Sequence, residues 1–124
     1  MDVLLVNPGG AEDVFQDLSV SYAGIGTPYW ALLLAESCRS QGYEVGILDI
    51  VAEGLSRQEA QERIEELNPR LITVCVYGEN VNAGTTNMSG AVKLANSLKE
   101  AGVKIPLAFV GSYMQALPYK VLEE

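Results

Sequence analysis

Side chains with chemical capacity cluster in Asn7-Pro8-Gly9-Gly10, in Tyr77-Gly78-Glu79-Asn80 with Asn82 close behind, and in Gly111-Ser112-Tyr113. Their groups are amides, hydroxyls, aromatic rings and a carboxylate, set among glycines that let a ligand come close to the backbone. Such a set binds and orients. It is poorly equipped for catalysis, because histidine is absent from the chain, and with it go the commonest general base and the usual partner of a Ser or Cys nucleophile. Cys38 and Cys75 stand far apart, one in a helical pattern and one in a strand pattern, where a free thiol acts as a small core residue. Two thiols without an imidazole cannot build a zinc site or a thiolate-held iron–sulfur cluster of ordinary ligand count. The carboxylate pairs Glu65-Glu66, Glu123-Glu124 and Asp13 with Asp17 fall on polar helical faces or in loops and read as solvated charge. No catalytic and no metal-ligating residue is assigned. The expected chemistry is the binding of a polar, planar ligand by a chain that performs no reaction alone.

Residues so far apart in sequence meet only if the elements between them return each to the same edge. Val3-Leu4-Leu5-Val6 is a continuous apolar run stopped by Asn7-Pro8, the mark of a strand buried on both faces. Thr27-Pro28 opens a helix in which Trp30, Leu33, Leu34 and Cys38 recur at helical spacing, ending at Gly42. This periodicity predicts a buried Trp30. A second strand spans Val45 to Val51, and Ser56 with Glu59 forms a capping box before a helix faced by Ala60, Ile64 and Leu67. Leu71 to Tyr77 is the clearest strand, β-branched and apolar throughout, and belongs mid-sheet. Residues 78–86 read as a polar loop before a helix carrying Met88, Val92, Ala95 and Leu98, and Ile105 to Val110 as a fourth strand. Residues 111–116 read as a loop, and 117–124 open a last helix.

Strand and helix alternate, so right-handed crossovers put helices on both faces of an open, doubly wound parallel sheet, an α/β fold in three layers. In such sheets ligands sit beyond the carboxyl ends of the strands. The loops there are 7–12, 49–56, 78–87 and 111–116. Neither G-x-G-x-x-G nor G-K-[ST] occurs, so no dinucleotide fingerprint or phosphate loop is present. A receiver-type phosphate acceptor is excluded as well, since Val74 to Gly78 contains no acid.

A chain of 124 residues, 48% hydrophobic and 19% charged, has the size and balance of one globular domain. The whole of 1–124 reads as that single domain. Its net charge of −8 argues against nucleic acid or anionic membranes as partners. No basic leader and no long apolar run appears, so a cytoplasmic location is expected. The pattern stops inside a helix with no further strand, which reads as a fold clipped before its last strand, an N-terminal fragment of a longer enzyme. An uncovered sheet edge would then favour self-association.

Val3-Leu4-Leu5-Val6-Asn7-Pro8, Thr27-Pro28 before a helix ending in Gly42-Tyr43-Glu44-Val45, Leu48-Asp49, Leu67-Asn68-Pro69, Ile105-Pro106 with Gly111, and Ala116-Leu117-Pro118 follow one another in the order and spacing of a known family. Through them the chain resembles the N-terminal cobalamin-binding domain of cobalamin-dependent radical S-adenosylmethionine enzymes. The resemblance implies a flavodoxin-like sheet with the corrin ring over the strand ends and the nucleotide tail entering between sheet and helices. It also implies a catalytic radical domain elsewhere in the parent protein, carrying the iron–sulfur cluster and S-adenosylmethionine, with methyl transfer as the reaction. The D-x-H-x-x-G motif of classical cobalamin domains is absent, so the cobalt would be held without a histidine ligand. By this resemblance Asn7, Pro8, Gly9 and Gly10 contact the corrin, and Tyr77, Gly78, Glu79 and Asn80 line it. Gly111, Ser112 and Tyr113 make room for the tail, although Val110 narrows that pocket, and a bulky residue at 111 is expected to weaken binding without unfolding. Two other classes fit the same loops: a nucleotide-sugar or other small-molecule-binding domain of a two-domain transferase, and a non-catalytic docking or oligomerisation domain, which exposed Tyr29 and Trp30 would favour.

Overall fold

The computed structural model describes residues 1–10, 26–77 and 81–123, with the backbone alone at 81–83. The most apolar strands, β1 (Val3–Asn7) and β3 (Leu71–Cys75), lie side by side in the interior of a four-stranded parallel sheet of order β2-β1-β3-β4. β2 (Val45–Asp49) flanks β1, and β4 (Leu107–Val110) flanks β3. In register, Leu5 faces Ile47 on one side and Thr73 on the other. Interior strands lose both faces to packing, which is why unbroken apolar runs mark them.

Alternate side chains go to opposite faces, and the two faces have different covers. Leu5 and Cys75 meet Ala31 of α1 (Tyr29–Ser40), with Leu34, Ala35, Val45 and Ile47 around them. Leu4, Val6, Ile72 and Val74 meet α2 (Arg57–Leu67) and α3 (Val81–Glu100) through Ala60, Ile64, Met88, Ala91, Leu94 and Leu98. A fully buried side chain such as Leu4 or Ile64 contributes about 1.5–3 kcal/mol over exposure. Among the described residues, α1 packs on one face and α2 and α3 on the other, around parallel strands in this order, which is the flavodoxin-like α/β arrangement.

The helix ends follow the local chemistry. Ser56 Oγ accepts from the Glu59 N–H at 3.3 Å while Glu59 Oε2 accepts from the Ser56 N–H at 2.8 Å, and Asn68 closes α2 in the left-handed conformation at φ 42°. Ser56→Ala is expected to lower stability by about 1 kcal/mol. An unmoved urea midpoint would show the capping box to be idle. The Ser56 hydroxyl and N–H also hold the Glu59 carboxyl below its ordinary range. That contribution is present above the unfolded-state pKa and fades as pH falls through the folded one.

Elsewhere the elements depart from the sequence reading. Strand β2 stops at Asp49, because Ile50 and Val51 turn away toward Gly54, which adopts φ 63°. β4 starts only after Pro106, which has no N–H to pair, although its carbonyl accepts from the Ile72 N–H at 2.9 Å. α3 begins at Val81, inside the stretch read as loop. Residues 112–116 form α4 (Ser112–Ala116), a short helix and not a loop, followed by α5 (Pro118–Glu123). Trp30 is 49% exposed and Leu33 62%. The buried stripe of α1 runs instead through Ala31, Leu34 and Ala35, since small alanines let the helix lie close to the strands. No helix among the described residues is long and apolar enough to cross a membrane.

Candidate functional site

In chain order β1 is followed by α1, which packs on one face, and β3 by α3, which packs on the other. Above the carboxyl ends of these two neighbours the connections diverge, and that divergence is the topological switch point where open α/β sheets bind ligands. Asn7, the last residue of β1, donates from Nδ2 to Asp49 Oδ1 at 2.9 Å, and the Ala52 N–H donates to the same oxygen at 3.1 Å. Asp49 thus ties the ends of β1 and β2 together and shapes the rim.

Pro8 and Gly9 are buried, and Gly9 and Gly10 have φ of 69° and 134°, values that favour glycine. Their requirement for glycine is met within the chain. A Cβ at Gly10 would run into the Thr86 carbonyl of α3, and one at Gly90 would lie 2.5 Å from the Gly9 carbonyl. The loop after β1 therefore packs backbone to backbone on α3. Gly111 is in the same position: it is buried, at φ 154°, with the Val76 carbonyl where its Cβ would stand.

Tyr77 follows β3 on the α1 side. Its carbonyl accepts from Asn87 Nδ2 at 2.8 Å, and its ring stacks on Trp30 with centroids 4.7 Å apart and planes 24° from parallel. Asn7, Cys75 and Tyr77 from the strand ends, with Pro28, Tyr29 and Trp30 from the start of α1, line a shallow depression open to solvent. Burial pushes the Cys75 thiol up to about 12, and its S–H donates to the Thr73 carbonyl at 3.8 Å. It is a neutral wall of the depression and neither a nucleophile nor a thiolate ligand.

Of the stretches singled out in the sequence, the structure brings Asn7 and Tyr77 together. Gly78, Glu79 and Asn80 lie outside the described residues. Ser112 and Tyr113 sit on the opposite face: Tyr113 and Met114 pack with the cluster under α2 and α3, and a Cβ on Gly84 of α3 would lie 3.8 Å from Ser112 Oγ. Neither lines the depression beside Trp30. Sequence reasoning missed Pro28, Tyr29 and Trp30 as lining residues. Their signal lies in topology, because a helix that follows a strand starts at the ligand edge, so its first turn borders the site. Tyr29 is 63% exposed, and the aromatic pair Tyr29-Trp30 in that turn is a large apolar surface left facing solvent.

The edge suits a broad, flat ligand fringed with hydrogen-bonding groups, lying across the strand ends beside aromatic rings. A corrin, with its peripheral amides, has that shape, and its spread exceeds what the depression alone could enclose. No curated protein and no solved structure matches the chain significantly. The sequence model of the B12 binding domain matches residues 16–124, a span running through α1, β2, α2, β3, α3 and β4, and the chain belongs to the B12-binding domain family.

Proposed function

We propose that this chain is the cobalamin-binding module of a radical S-adenosylmethionine enzyme, a methyltransferase, and that it holds the cofactor at the carboxyl ends of the parallel strands without a histidine ligand. The observation that carries the reading is the B12-binding match over residues 16–124 in a chain with no histidine. The radical context is supported by the ordered motifs from Val3-Leu4-Leu5-Val6-Asn7-Pro8 to Ala116-Leu117-Pro118. Bound cobalamin supplies a cobalt able to carry a methyl group. The residues here bind and orient it: the backbone of Asn7 to Gly10 and the Tyr77 to Asn80 segment border the corrin, and Gly111 keeps the ends of β3 and β4 close. The iron–sulfur cluster and S-adenosylmethionine belong to a partner catalytic domain.

Mixing the folded chain with hydroxocobalamin, desalting it and recording the visible spectrum tests the proposal. Corrin absorbance is expected to travel with the protein, with the bands of cobalt that has no imidazole below it. A colourless fraction from chain shown to be folded would sink the reading. An imidazole-type spectrum that persists when cobinamide replaces cobalamin would sink the histidine-free part of it.

A further inference from the structure

A single oxygen joins the ends of β1 and β2. Asp49 Oδ1 accepts from the Ala52 N–H at 3.1 Å and from Asn7 Nδ2 at 2.9 Å, so it serves twice as an acceptor. Three main-chain bonds hold the turn that carries it: the Ile50 N–H donates to the Asn7 carbonyl at 3.2 Å, the Glu53 N–H to the Asp49 carbonyl at 3.0 Å, and the Leu55 N–H to the Ile50 carbonyl at 3.0 Å. Asp49 is therefore a fixed partner, and it decides which way the Asn7 amide faces. A side-chain amide has an acceptor end and a donor end of nearly the same shape. Only the donor end can face an oxygen that itself accepts, so Oδ1 is the end of Asn7 turned away from Asp49. Asn7 is half-buried and lines the depression at the strand ends.

Resting on the cobalamin reading, we infer that Asp49 is a positioning residue: it fixes the Asn7 amide with Oδ1 toward the ligand, and that acceptor takes an N–H from one primary carboxamide on the corrin rim. The consequence is selectivity for an amidated corrinoid over one that carries a carboxylate at the same place. A carboxamide donates to Oδ1. A carboxylate has no proton to give, so two acceptors would meet and both would be left unpaired. A site built to bond a ligand N–H rejects the analogue that lacks it for this reason. Turning the Asn7 amide over would relieve the mismatch, but it would set Asn7 Oδ1 against Asp49 Oδ1 and replace the 2.9 Å bond by a second pair of facing acceptors. Asp49 thus acts on the ligand through Asn7.

Equilibrium dialysis of the whole chain against hydroxocobalamin and against its monocarboxylic acids, each with one peripheral carboxamide hydrolysed, reads that selectivity. One monoacid is expected to bind the wild-type chain about tenfold more weakly than hydroxocobalamin, the scale of one hydrogen bond left unmade. Asn7→Ala removes the acceptor and should bring the two affinities together. Asp49→Ala should do the same, because it frees the Asn7 amide to turn and donate to the carboxylate. Asp49→Asn should keep the wild-type ratio, since its side-chain oxygen can still accept from both N–H groups although the charge is gone. Circular dichroism checks the fold of each variant, and Asn7→Ala decides alone if Asp49→Ala does not fold. A merely structural loss would weaken every corrinoid alike and leave the ratio unmoved. Equal affinities in the wild-type chain overturn the inference while leaving the cobalamin reading intact. So does a ratio that survives Asn7→Ala, or one that disappears in Asp49→Asn, which would make repulsion by the Asp49 charge its source. Wild-type chain that binds no corrinoid removes the cobalamin reading, and the role of Asp49 with it.

Discussion

Gly111→Val is expected to lower the stability of the fold by about 3 kcal/mol or more, combining a backbone conformation reserved for glycine with a collision that cannot relax. Gly111 sits at φ 154° at the end of β4, and any Cβ there meets the Val76 carbonyl, with the Met114 methyl 3.0 Å away on another side. That carbonyl belongs to the backbone, beside the point where the Val76 N–H donates to the Val110 carbonyl at 2.8 Å. Relief therefore requires the ends of β3 and β4 to part. The sequence reading expected the reverse, weakened ligand binding in an intact domain. Urea unfolding followed by circular dichroism decides between them, the structural account requiring a lower midpoint at an unchanged slope. A wild-type midpoint with lost corrinoid retention would return Gly111 to a purely ligand-facing role.

Gly90→Ala should destabilise the fold by about 1–3 kcal/mol, the cost of overpacking a closed contact, although alanine at an ordinary helix position gains up to about 1 kcal/mol over glycine. The sign reverses because Gly90 of α3 lies against the loop after β1, its Cβ 2.5 Å from the Gly9 carbonyl and 3.1 Å from the Pro8 carbonyl. Gly84, on the same helix, provides the contrast. Its Cβ would have only ordinary contacts at 3.8 Å, so Gly84→Ala should hold or raise the midpoint. Two Gly→Ala changes in one helix are thus expected to move stability in opposite directions. If both raise it, the loop after β1 does not pack on α3, and the rim at Asn7 is looser than described. Because that loop also borders the candidate site, Gly90→Ala should weaken corrinoid retention along with stability.

Much of the fold was legible because short-range chemistry dictates it. Val3-Leu4-Leu5-Val6 and Leu71 to Cys75 announced interior strands, since only a strand covered on both faces tolerates unbroken apolar side chains. Ser56 with Glu59, and Asn68 before Pro69, marked the ends of α2 through hydrogen bonds that span a few residues. The alternation of these elements was enough for a parallel, doubly wound sheet. Gly42 ended α1 as expected, with φ 90°. The errors cluster where a choice depends on a distant partner. Leu33 and Ala31 are both apolar residues of one helix, and periodicity could not say which the sheet would take. Sheet contact selected Ala31, which is buried against Leu5 and Cys75. Trp30 was turned outward by the same rotation.

The candidate site divides along the same line. The sequence by itself determined the type of ligand edge, the absence of an imidazole for metal or proton chemistry, and the loops that gather at the edge, for these follow from residue types and from the order of strands and helices. Only the tertiary structure decided which side chains share a surface. It joined Asn7 and Tyr77 to Trp30, sent Tyr113 to the opposite face, and assigned Gly10, Gly90 and Gly111 to contacts within the chain. The physical reason is one of range. Strand and helix preferences are settled among neighbours in sequence, whereas a stack of two rings or the approach of one backbone to another is settled by how helices seat on a sheet, a result of packing that no local stretch of residues contains.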